Sequence, residues 1–246
     1  MSGLEAGRLA WIFPLAAAVD GFMAGIEALK AASGIVEAAF NQFDKCVLFY
    51  SGGKDSAAAL SLLEKTYSKN NIHLVFMPFV EGLKETEFVI NMAKKHGYSG
   101  VHQYQHWTYF RDKANGAYCP KQGKPKKLID VYRDVREDFG DLPIFTGAKR
   151  SDGMWRRFNT MNTAKGGNYA NIFMPIYSWS KYDVLLYIRQ NKLDYIKAEG
   201  GRISGVDLSP KYILWARDNQ PQSYEAIKRE FPFIDAVFKR QELRNE

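Results

Sequence analysis

Cysteine is the scarcest reactive residue of this 246-residue sequence, which contains only Cys46 and Cys119. Two thiols cannot build a framework of several disulfides, and an iron–sulfur cluster needs about four thiolate ligands. We therefore expect neither a disulfide scaffold nor a cluster held by this chain alone. A chain so poor in cysteine is typical of a reducing compartment, so we predict a cytoplasmic protein. Cys46 lies in an apolar run, which predicts a buried core position for it.

Long uninterrupted hydrophobic runs are also missing. The most apolar stretch, residues 9–40, is broken by Pro14, Asp20, Glu27 and Lys30. A membrane-spanning helix needs about 20 consecutive apolar residues, so we predict neither a span nor a signal peptide here. Residues 1–40 are instead predicted to be an N-terminal helical segment that packs on the rest of the protein, and a homodimer contact is its second expected role.

Acidic residues are outnumbered by basic ones, 27 against 34, which gives a formal net charge of +7. A positive balance suits polyanionic ligands such as nucleotides, free phosphates or nucleic acid, without choosing among them. Hydrophobic residues make up 46% of the chain, enough for a substantial core. The composition thus predicts a globular protein with an anionic ligand.

Two common nucleotide-binding fingerprints are absent, namely Gly-x-x-x-x-Gly-Lys-Ser/Thr and a Gly-x-Gly-x-x-Gly that follows a strand. The sequence has SGGKDS at residues 51–56, between a predicted buried strand at Val47–Tyr50 and a predicted helix at Ala57–Leu63. Glycines allow unusual backbone conformations, and a new helix directs unpaired N–H groups and its positive dipole end into the loop. Together with Lys54 these groups predict a site for linked phosphates. The alternative is a plain glycine turn in which Asp55 or Ser56 caps the helix.

Strand and helix patterns alternate downstream of this loop. We predict strands at Ile72–Val80 and Leu142–Gly147, with a weaker strand around residues 99–105, and helices at Glu85–Gly97 and residues 126–140. Alternation of this kind predicts an α/β fold with a doubly wound, mostly parallel sheet. We expect a nucleotide-binding core over residues 41–178 and a helical C-terminal extension of the same domain over residues 179–246.

The SGGKDS motif resembles the PP-loop of the ATP pyrophosphatase superfamily. Three later segments, FVEGLKETEF, TGAKRSDGMWRR and MPIYSWSKYDVLLYI, are similar to blocks of the phosphoadenosine phosphosulfate reductases and of the small subunit of sulfate adenylyltransferase. A fourth, SGVDLSP, resembles a block that often reads Ser-Gly-Cys-x-x-Cys-Pro. The resemblance covers about residues 40–240. It implies the adenine nucleotide alpha hydrolase-like fold. Within these blocks we predict structural rather than catalytic roles for Trp179, as a packed ring, and for Asp183, near a helix start.

The resemblance also implies a ligand set. ATP would bind with Mg²⁺, and Asp55 would either place the metal or cap the helix. The residues expected to act in catalysis are Lys54, Arg150 and Arg156. The residues expected to bind the nucleotide are Ser51, Gly52, Gly53, Lys54, Asp55, Ser56, Glu81, Gly147, Lys149 and Arg150. An ordinary solvated charge cluster is the alternative for the basic members after Gly147.

The chain departs from this family at the positions that carry sulfur chemistry. The reductases attack with a cysteine in a C-terminal tail, whereas this sequence ends KRQELRNE; Val206 and Ser209 stand where a Cys-x-x-Cys is expected. We therefore predict an ATP-dependent enzyme without an iron–sulfur cluster that cleaves ATP between the α and β phosphates. The acceptor would be sulfate or a nucleobase, and a partner subunit is possible. The alternatives are a sulfonucleotide reductase that borrows a partner's thiol and a non-catalytic nucleotide- or nucleic-acid-binding module.

Two further features stay open at this stage. His102 and His106 have metal-ligand spacing only on a helix, and their segment is predicted to be a strand followed by a turn, which argues against a metal site. The lysine-rich run at Lys121–Lys127 is either a loop that faces phosphate or a solvated one.

Overall fold

A five-stranded, all-parallel sheet forms the centre of the protein, with the strand order β3-β2-β1-β4-β5. The computed structural model describes residues 26–152, 171–197 and 207–245. Because all strands are parallel, their carboxyl ends lie at one edge of the sheet. The strands are β1 (Cys46–Phe49), β2 (Ile72–Phe76), β3 (His102–Gln103), β4 (Ile144–Thr146) and β5 (Ile172–Phe173).

Helices cover both faces of this sheet. In chain order they are α1 (residues 26–40), α2 (Lys54–Leu63), α3 (Lys84–Lys95), α4 (Trp107–Asn115), α5 (Leu128–Phe139), α6 (Lys181–Gln190), α7 (Pro210–Asn219), α8 (Pro221–Glu230) and α9 (Ala236–Asn245), with short 3₁₀ turns at Lys69–Asn71 and Arg150–Asp152. The predicted α/β fold with a parallel, helix-covered sheet is confirmed.

Successive side chains of a strand point to opposite faces of the sheet, so each face has its own core. Cys46 and Leu48 of β1 are fully buried in the core that includes residues of α1, α2, α3 and α6, whereas Val47 packs with Tyr132 and Val135 of α5. This division follows from right-handed crossovers, since the chain moves outward from β1 to β3 on one face and returns to β4 across the other. The predicted core position of Cys46 is confirmed.

A second apolar cluster joins the C-terminal helices to the connection between β2 and α3. The ring of Phe79, from that connection, stacks on the ring of Phe231 with their centroids 5.5 Å apart. Cys119 and Tyr212 are buried in the same cluster. Its most buried polar residue, Ser223, accepts a hydrogen bond from the backbone N–H of Lys84 at 3.0 Å. The C-terminal helices therefore pack directly against the sequence that follows β2.

Several predicted element boundaries differ from the structure. The strand predicted at Ile72–Val80 ends at Phe76, because Pro78 has no N–H to donate to a sheet. Helix α4 and strand β5 were not predicted; α4 is rich in aromatic residues of low helix propensity and starts at a histidine, and β5 has two residues.

The structural positions predicted for Trp179 and Asp183 are confirmed. Trp179 is buried, and its Nε1 donates to the carbonyl of Ala28 at 3.2 Å. Asp183 forms a capping box with Ser180 at the start of α6. Of the predicted N-terminal helical segment, residues 26–40 are helical and residues 1–25 lie outside the described residues. Among the residues described, no helix is both long and apolar enough to cross a bilayer.

Candidate active site

The loop between β1 and α2 forms the floor of the candidate site. Gly52 has a φ of +68°, a conformation that favours glycine, and Gly53 is the N-cap of α2. The hydroxyls of Ser51 and Ser56 lie 3.2 Å apart, and Ser56 donates to the carbonyl of Gly53 at 3.0 Å. The two serines therefore brace the loop from the inside.

The segment after α6 holds this loop from the other side. The N–H of Ile196 donates to the carbonyl of Gly52 at 2.7 Å. A Cβ added to Gly52 would lie 2.4 Å from Ile196 Cδ1, so the two residues touch with no room for a side chain. Sequence reasoning missed Ile196, because a single isoleucine far along the chain carries no local signal for such a contact.

Gly53 has a different environment from its neighbour. Its φ of −74° is open to any residue, and an added Cβ would meet only Ser51 Oγ, at 3.5 Å, an ordinary contact distance. The fold itself therefore does not require glycine at position 53. A glycine that the fold does not need is consistent with a ligand that approaches the backbone closely.

The start of α2 presents its backbone N–H groups to the site. Within the described chain, no side chain caps this helix, so the alternative in which Asp55 or Ser56 serves as its cap is wrong. The first-turn N–H groups and the positive end of the helix dipole face the loop, which is the arrangement that binds phosphate at helix N-termini.

Among the described residues, Lys149 is the most buried charged group at this edge of the sheet, with only 2% of its side chain exposed. Its Nζ lies 2.7 Å from Asp55 Oδ1 and 2.9 Å from Asp152 Oδ1. On the opposite side of Asp55, Oδ2 lies 2.5 Å from Lys54 Nζ, and Lys54 is about a quarter exposed. Asp55 is thus held between a buried lysine and a lysine that reaches solvent.

Gly147 explains how the loop after β4 comes so close to α2. An added Cβ at Gly147 would lie 2.8 Å from the backbone carbon of Asp55 and 3.0 Å from the nitrogen of Ser56. Any side chain would push the two backbones apart, and Lys149 would then lose its reach to Asp55. Gly147 therefore lies against the first turn of α2, and its predicted role in binding the nucleotide stays a prediction.

The remaining predicted residues are placed less tightly. Arg150 lies in an exposed 3₁₀ turn, where its N–H donates to the carbonyl of Tyr177 at 2.9 Å. Glu81 lies in the exposed turn that follows β2, at the same edge of the sheet as the loop. Arg156 and Val206 lie outside the described residues.

The two histidines with metal-ligand spacing lie on different elements. His102 is in β3, whereas His106 is the N-cap of α4 and accepts a hydrogen bond from the N–H of Thr108 at 3.2 Å. Burial and, secondly, the charge of Arg111 lower the pKa of His106 to about 4, although Asp207 acts in the opposite direction. Across the described ranges, no group of three or more His, Cys, Asp or Glu side chains is arranged to hold a metal ion.

Both cysteines are poor nucleophiles where they lie. Cys46 is fully buried in β1 and Cys119 is 4% exposed in the C-terminal cluster. Burial raises the pKa of each thiol above its ordinary value, so the reactive thiolate is disfavoured at neutral pH.

One protein family matches the sequence, over a range that contains all five strands and the candidate site. The profile of the phosphoadenosine phosphosulfate reductase domain matches residues 45–198, which include the loop, Gly147 and Ile196. No curated protein sequence matches the chain.

Solved structures of similar architecture were also found, at low sequence identity. The NH3-dependent NAD synthetase of Campylobacter jejuni, in complex with nitrate, is 13% identical, with a TM-score of 0.47 over 90% of this chain and 96% of that one. A U34-tRNA thiolase of Methanococcus maripaludis with its [4Fe-4S] cluster is 14% identical, with a TM-score of 0.46 over 85% and 79%. The phosphoadenylyl-sulfate reductase of Candida auris, a phosphate complex, is 15% identical, with a TM-score of 0.43 over 67% and 81%.

Proposed function

Since the chain belongs to the phosphoadenosine phosphosulfate reductase domain family, we propose that it is an ATP-dependent enzyme that cleaves ATP between the α and β phosphates. A nucleophilic acceptor would attack the α-phosphorus, the bond from that phosphorus to the bridging oxygen would break, and pyrophosphate would leave with the bond's electron pair. The products are the adenylylated acceptor and pyrophosphate.

One observation carries this proposal, namely the uncapped start of α2 beside a glycine that the fold does not require. Gly53 leaves the backbone open, and the first-turn N–H groups of α2 face the loop. Such donors suit the β and γ phosphates, which become the leaving group. Ser51 and Ser56 add hydroxyls on the inner side of the same loop.

The lysines of the site divide into two roles under this proposal. Lys54 lies at the solvent edge and pairs with Asp55, so it can turn from that carboxylate toward phosphate oxygens when ATP binds. Lys149 is buried and pairs with both Asp55 and Asp152, so it keeps Asp55 in position rather than contacting ATP. This reassigns Lys149 from the phosphate clamp predicted from the sequence to a positioning residue.

Mg²⁺ would bind at this site only together with ATP, whose phosphates would supply part of its ligands. In nucleotide sites this ion commonly takes one or two carboxylates together with substrate phosphates and water. Asp55 is the only carboxylate of the loop, and Lys54 would release one of its oxygens. When bound, the ion would neutralise charge on the phosphates, while Arg150 and Arg156 are proposed to stabilise charge that develops near the α-phosphate.

A sulfonucleotide reductase is the second candidate, and the family description itself favours it. Such an enzyme needs a thiolate that attacks sulfur, whereas Cys46 and Cys119 are both buried with raised pKa values. The reductase would therefore depend on a thiol from a partner or cosubstrate. The ability of a dithiol to release sulfite from phosphoadenosine phosphosulfate in the presence of this protein distinguishes the two candidates.

The direct test is pyrophosphate release from ATP and Mg²⁺, measured with a panel of acceptors that includes sulfate and nucleobases. We expect acceptor-stimulated release of pyrophosphate and transfer of label from [α-³²P]ATP to the acceptor. Arg156→Ala should lower the rate by roughly two orders of magnitude with little effect on ATP affinity, since the interaction strengthens in the transition state.

Arg189→Ala serves as the matched control, because Arg189 is exposed at the end of α6. Equal rates for the two variants would show that the arginine cluster is an ordinary solvated charge cluster without a role in catalysis. Sulfite release without any pyrophosphate release would overturn the proposal in favour of the reductase.

A further inference from the structure

The segment between β3 and α5 concentrates the positive charge of the protein. Residues 107–127, called here the basic segment, contain six lysines and arginines and a single carboxylate, a net charge of +5 in a chain whose total is +7. The proposed function assigns no role to this segment. Its cations are Arg111, Lys113, Lys121, Lys124, Lys126 and Lys127.

Only part of this charge is neutralised by neighbouring carboxylates. Lys113 pairs with Glu230 at 3.0 Å and Lys126 pairs with Asp134 at 2.8 Å. Arg111 pairs with its neighbour Asp112, at 2.7 Å. These contacts leave three lysines to be accounted for.

Lys121, Lys124 and Lys127 are exposed. In the part of the chain that the structure describes, none of the three lies within ion-pair distance of a carboxylate. The nearest acidic residue in sequence, Asp130, is already engaged, since it accepts the N–H of Lys127 at 2.7 Å and pairs with Arg133. These lysines therefore project uncompensated charge into solvent.

The topology places the basic segment at the edge of the sheet that carries the candidate site. The segment begins shortly after the carboxyl end of β3 and ends where α5 starts its return to the amino end of β4. Both ends of the segment consequently lie at the carboxyl edge. β3 is two strands from β1, or about 10 Å across a sheet, so the segment starts at the same edge of the sheet as the phosphate loop.

Aromatic rings are interleaved with these cations. Trp107 and Phe110 are partly exposed on α4. The guanidinium of Arg111 lies 5.3 Å from the centroid of Trp107, and the ammonium of Lys126 lies 4.8 Å from that of Phe110. Alternating cations and π-faces suit a chain of phosphates and bases, because the lysines contact the backbone while rings and guanidinium planes contact bases.

We propose that the basic segment binds single-stranded nucleic acid and holds it beside the phosphate loop, so that a base of the bound strand is the acceptor. The assignment of the acceptor rests on the proposed function, whereas binding of the strand does not. A polynucleotide is favoured over an anionic membrane or an acidic peptide because the exposed lysines accompany stacked cation–ring pairs rather than an exposed apolar helix face.

The binding test uses the full chain, purified with nuclease and high salt, and fluorescein-labelled single-stranded RNA and DNA of about 20 nucleotides. Fluorescence anisotropy measures the dissociation constant as a function of salt. Each single-strand phosphate contact contributes a slope of about 0.7 in log Kd against log[salt]. The double variant Lys121→Glu/Lys124→Glu should lower the slope by about 1.4 and, at about 0.1 M salt, weaken binding roughly twentyfold.

The matched control is Lys45→Glu/Lys65→Glu, which makes the same change of charge. Both lysines are exposed; Lys45 precedes β1 and Lys65 follows α2, so they lie at the opposite edge of the sheet. This control should retain most of the affinity. Equal losses in the two double variants would show a response to net charge alone and would overturn the proposal.

Three further arms complete the test. A preference between RNA and DNA identifies the natural strand. Full competition by adenosine 3′,5′-bisphosphate, or binding to phosphatidylserine vesicles that is lost with the same two lysines, would assign the segment to a mononucleotide or a membrane and overturn the proposal.

Acceptor-independent ATP hydrolysis should be unchanged in Lys121→Glu/Lys124→Glu, because neither lysine belongs to the phosphate loop. Loss of strand binding with intact hydrolysis supports the inference. Strand binding by a protein that releases no pyrophosphate would leave the surface in place and contradict the proposed function alone.

Discussion

At the scale of single residues, the two adjacent glycines of the phosphate loop are present for different reasons. Gly52 has a positive φ and touches Ile196, so the folded chain requires it. Gly53 has an ordinary extended conformation and space for a Cβ, so only a ligand would require it. This difference separates a structural glycine from a binding glycine without reference to the bound state.

Replacement of each glycine by alanine should therefore give opposite phenotypes. Gly53→Ala should change the free energy of unfolding by less than about 0.5 kcal/mol and weaken ATP binding at least about tenfold, the equivalent of about 1.4 kcal/mol. Gly52→Ala should lower stability by about 1–3 kcal/mol, because alanine is strained at positive φ. Urea unfolding and isothermal titration calorimetry with ATP measure the two effects. Unchanged ATP affinity in Gly53→Ala would place the nucleotide elsewhere.

Lys149 is the residue whose role depends most on burial. Replacement by methionine leaves Asp55 and Asp152 facing each other without the cation that separates them. We expect Lys149→Met to lower the free energy of unfolding by about 3 kcal/mol, the lower end for a broken buried pair, because Asp55 is about a quarter exposed. Chemical denaturation checks this value.

Lys149→Arg keeps the charge. Compared with Lys149→Met, it should have a higher stability and a KM for Mg²⁺-ATP closer to that of wild type. Exposed Lys124→Met is the control and should change stability by less than about 0.5 kcal/mol. If Lys149→Met is as stable as this control, the positioning role is wrong.

At the scale of elements, the contact between α3 and α8 ties the C-terminal helices to the sheet. Ser223 on α8 is completely buried and accepts the N–H of Lys84 at the start of α3. Its hydroxyl lies 2.9 Å from Gln220 Oε1 and 3.3 Å from Glu85 Oε2. A hydroxyl in the first turn of α8 thus accepts the first N–H of α3.

Ser223→Ala should lower the free energy of unfolding by about 2 kcal/mol, because the Lys84 N–H is then left without its partner in a dry interface. Relative to wild type, Ser223→Ala should increase amide hydrogen exchange more in α7 and α8 than in the sheet. Ser68→Ala, at an exposed N-cap without a side-chain hydrogen bond, is the comparison. If Ser223→Ala changes exchange equally in the C-terminal helices and in the sheet, this hydroxyl does not couple the two regions.

At the scale of the whole molecule, we expect stability to depend on pH through His106, a partly buried histidine whose pKa is lowered in the fold. His106 has a pKa of about 4 in the folded protein, against an ordinary value of 6.5. Below pH 6.5 the unfolded chain binds a proton that the folded chain does not, so folding stability falls as the pH drops from 6.5 toward 4.

His106→Asn should remove up to about 3 kcal/mol of this pH dependence, since asparagine can also cap α4 but does not titrate. Urea unfolding of both proteins at several values between pH 7 and pH 4 isolates the histidine, because carboxylates contribute equally to both. His102→Asn, the same substitution at an exposed position, is the matched control. A histidine that is charged in the fold would give parallel curves for His106→Asn and wild type.

The sequence by itself determined the features that arise from neighbouring residues. The strand, glycine loop and helix around SGGKDS are local, because backbone propensity and apolar spacing act over a few positions. The parallel sheet followed from the alternation of these units, and the family followed from short blocks of residues. Weakly encoded elements escaped prediction, as α4 and β5 show, since aromatic composition and a two-residue length leave little periodicity to detect.

Only the tertiary structure decided which charges meet. Lys149 belongs to a run of basic residues, and such runs are usually solvated. Here the close approach of Gly147 to α2 buries Lys149 between Asp55 and Asp152. Ile196 reaches Gly52 from far along the chain by the same kind of long-range packing. Such pairs depend on how the strands are ordered in the sheet, and no spacing within a local stretch of sequence contains that order.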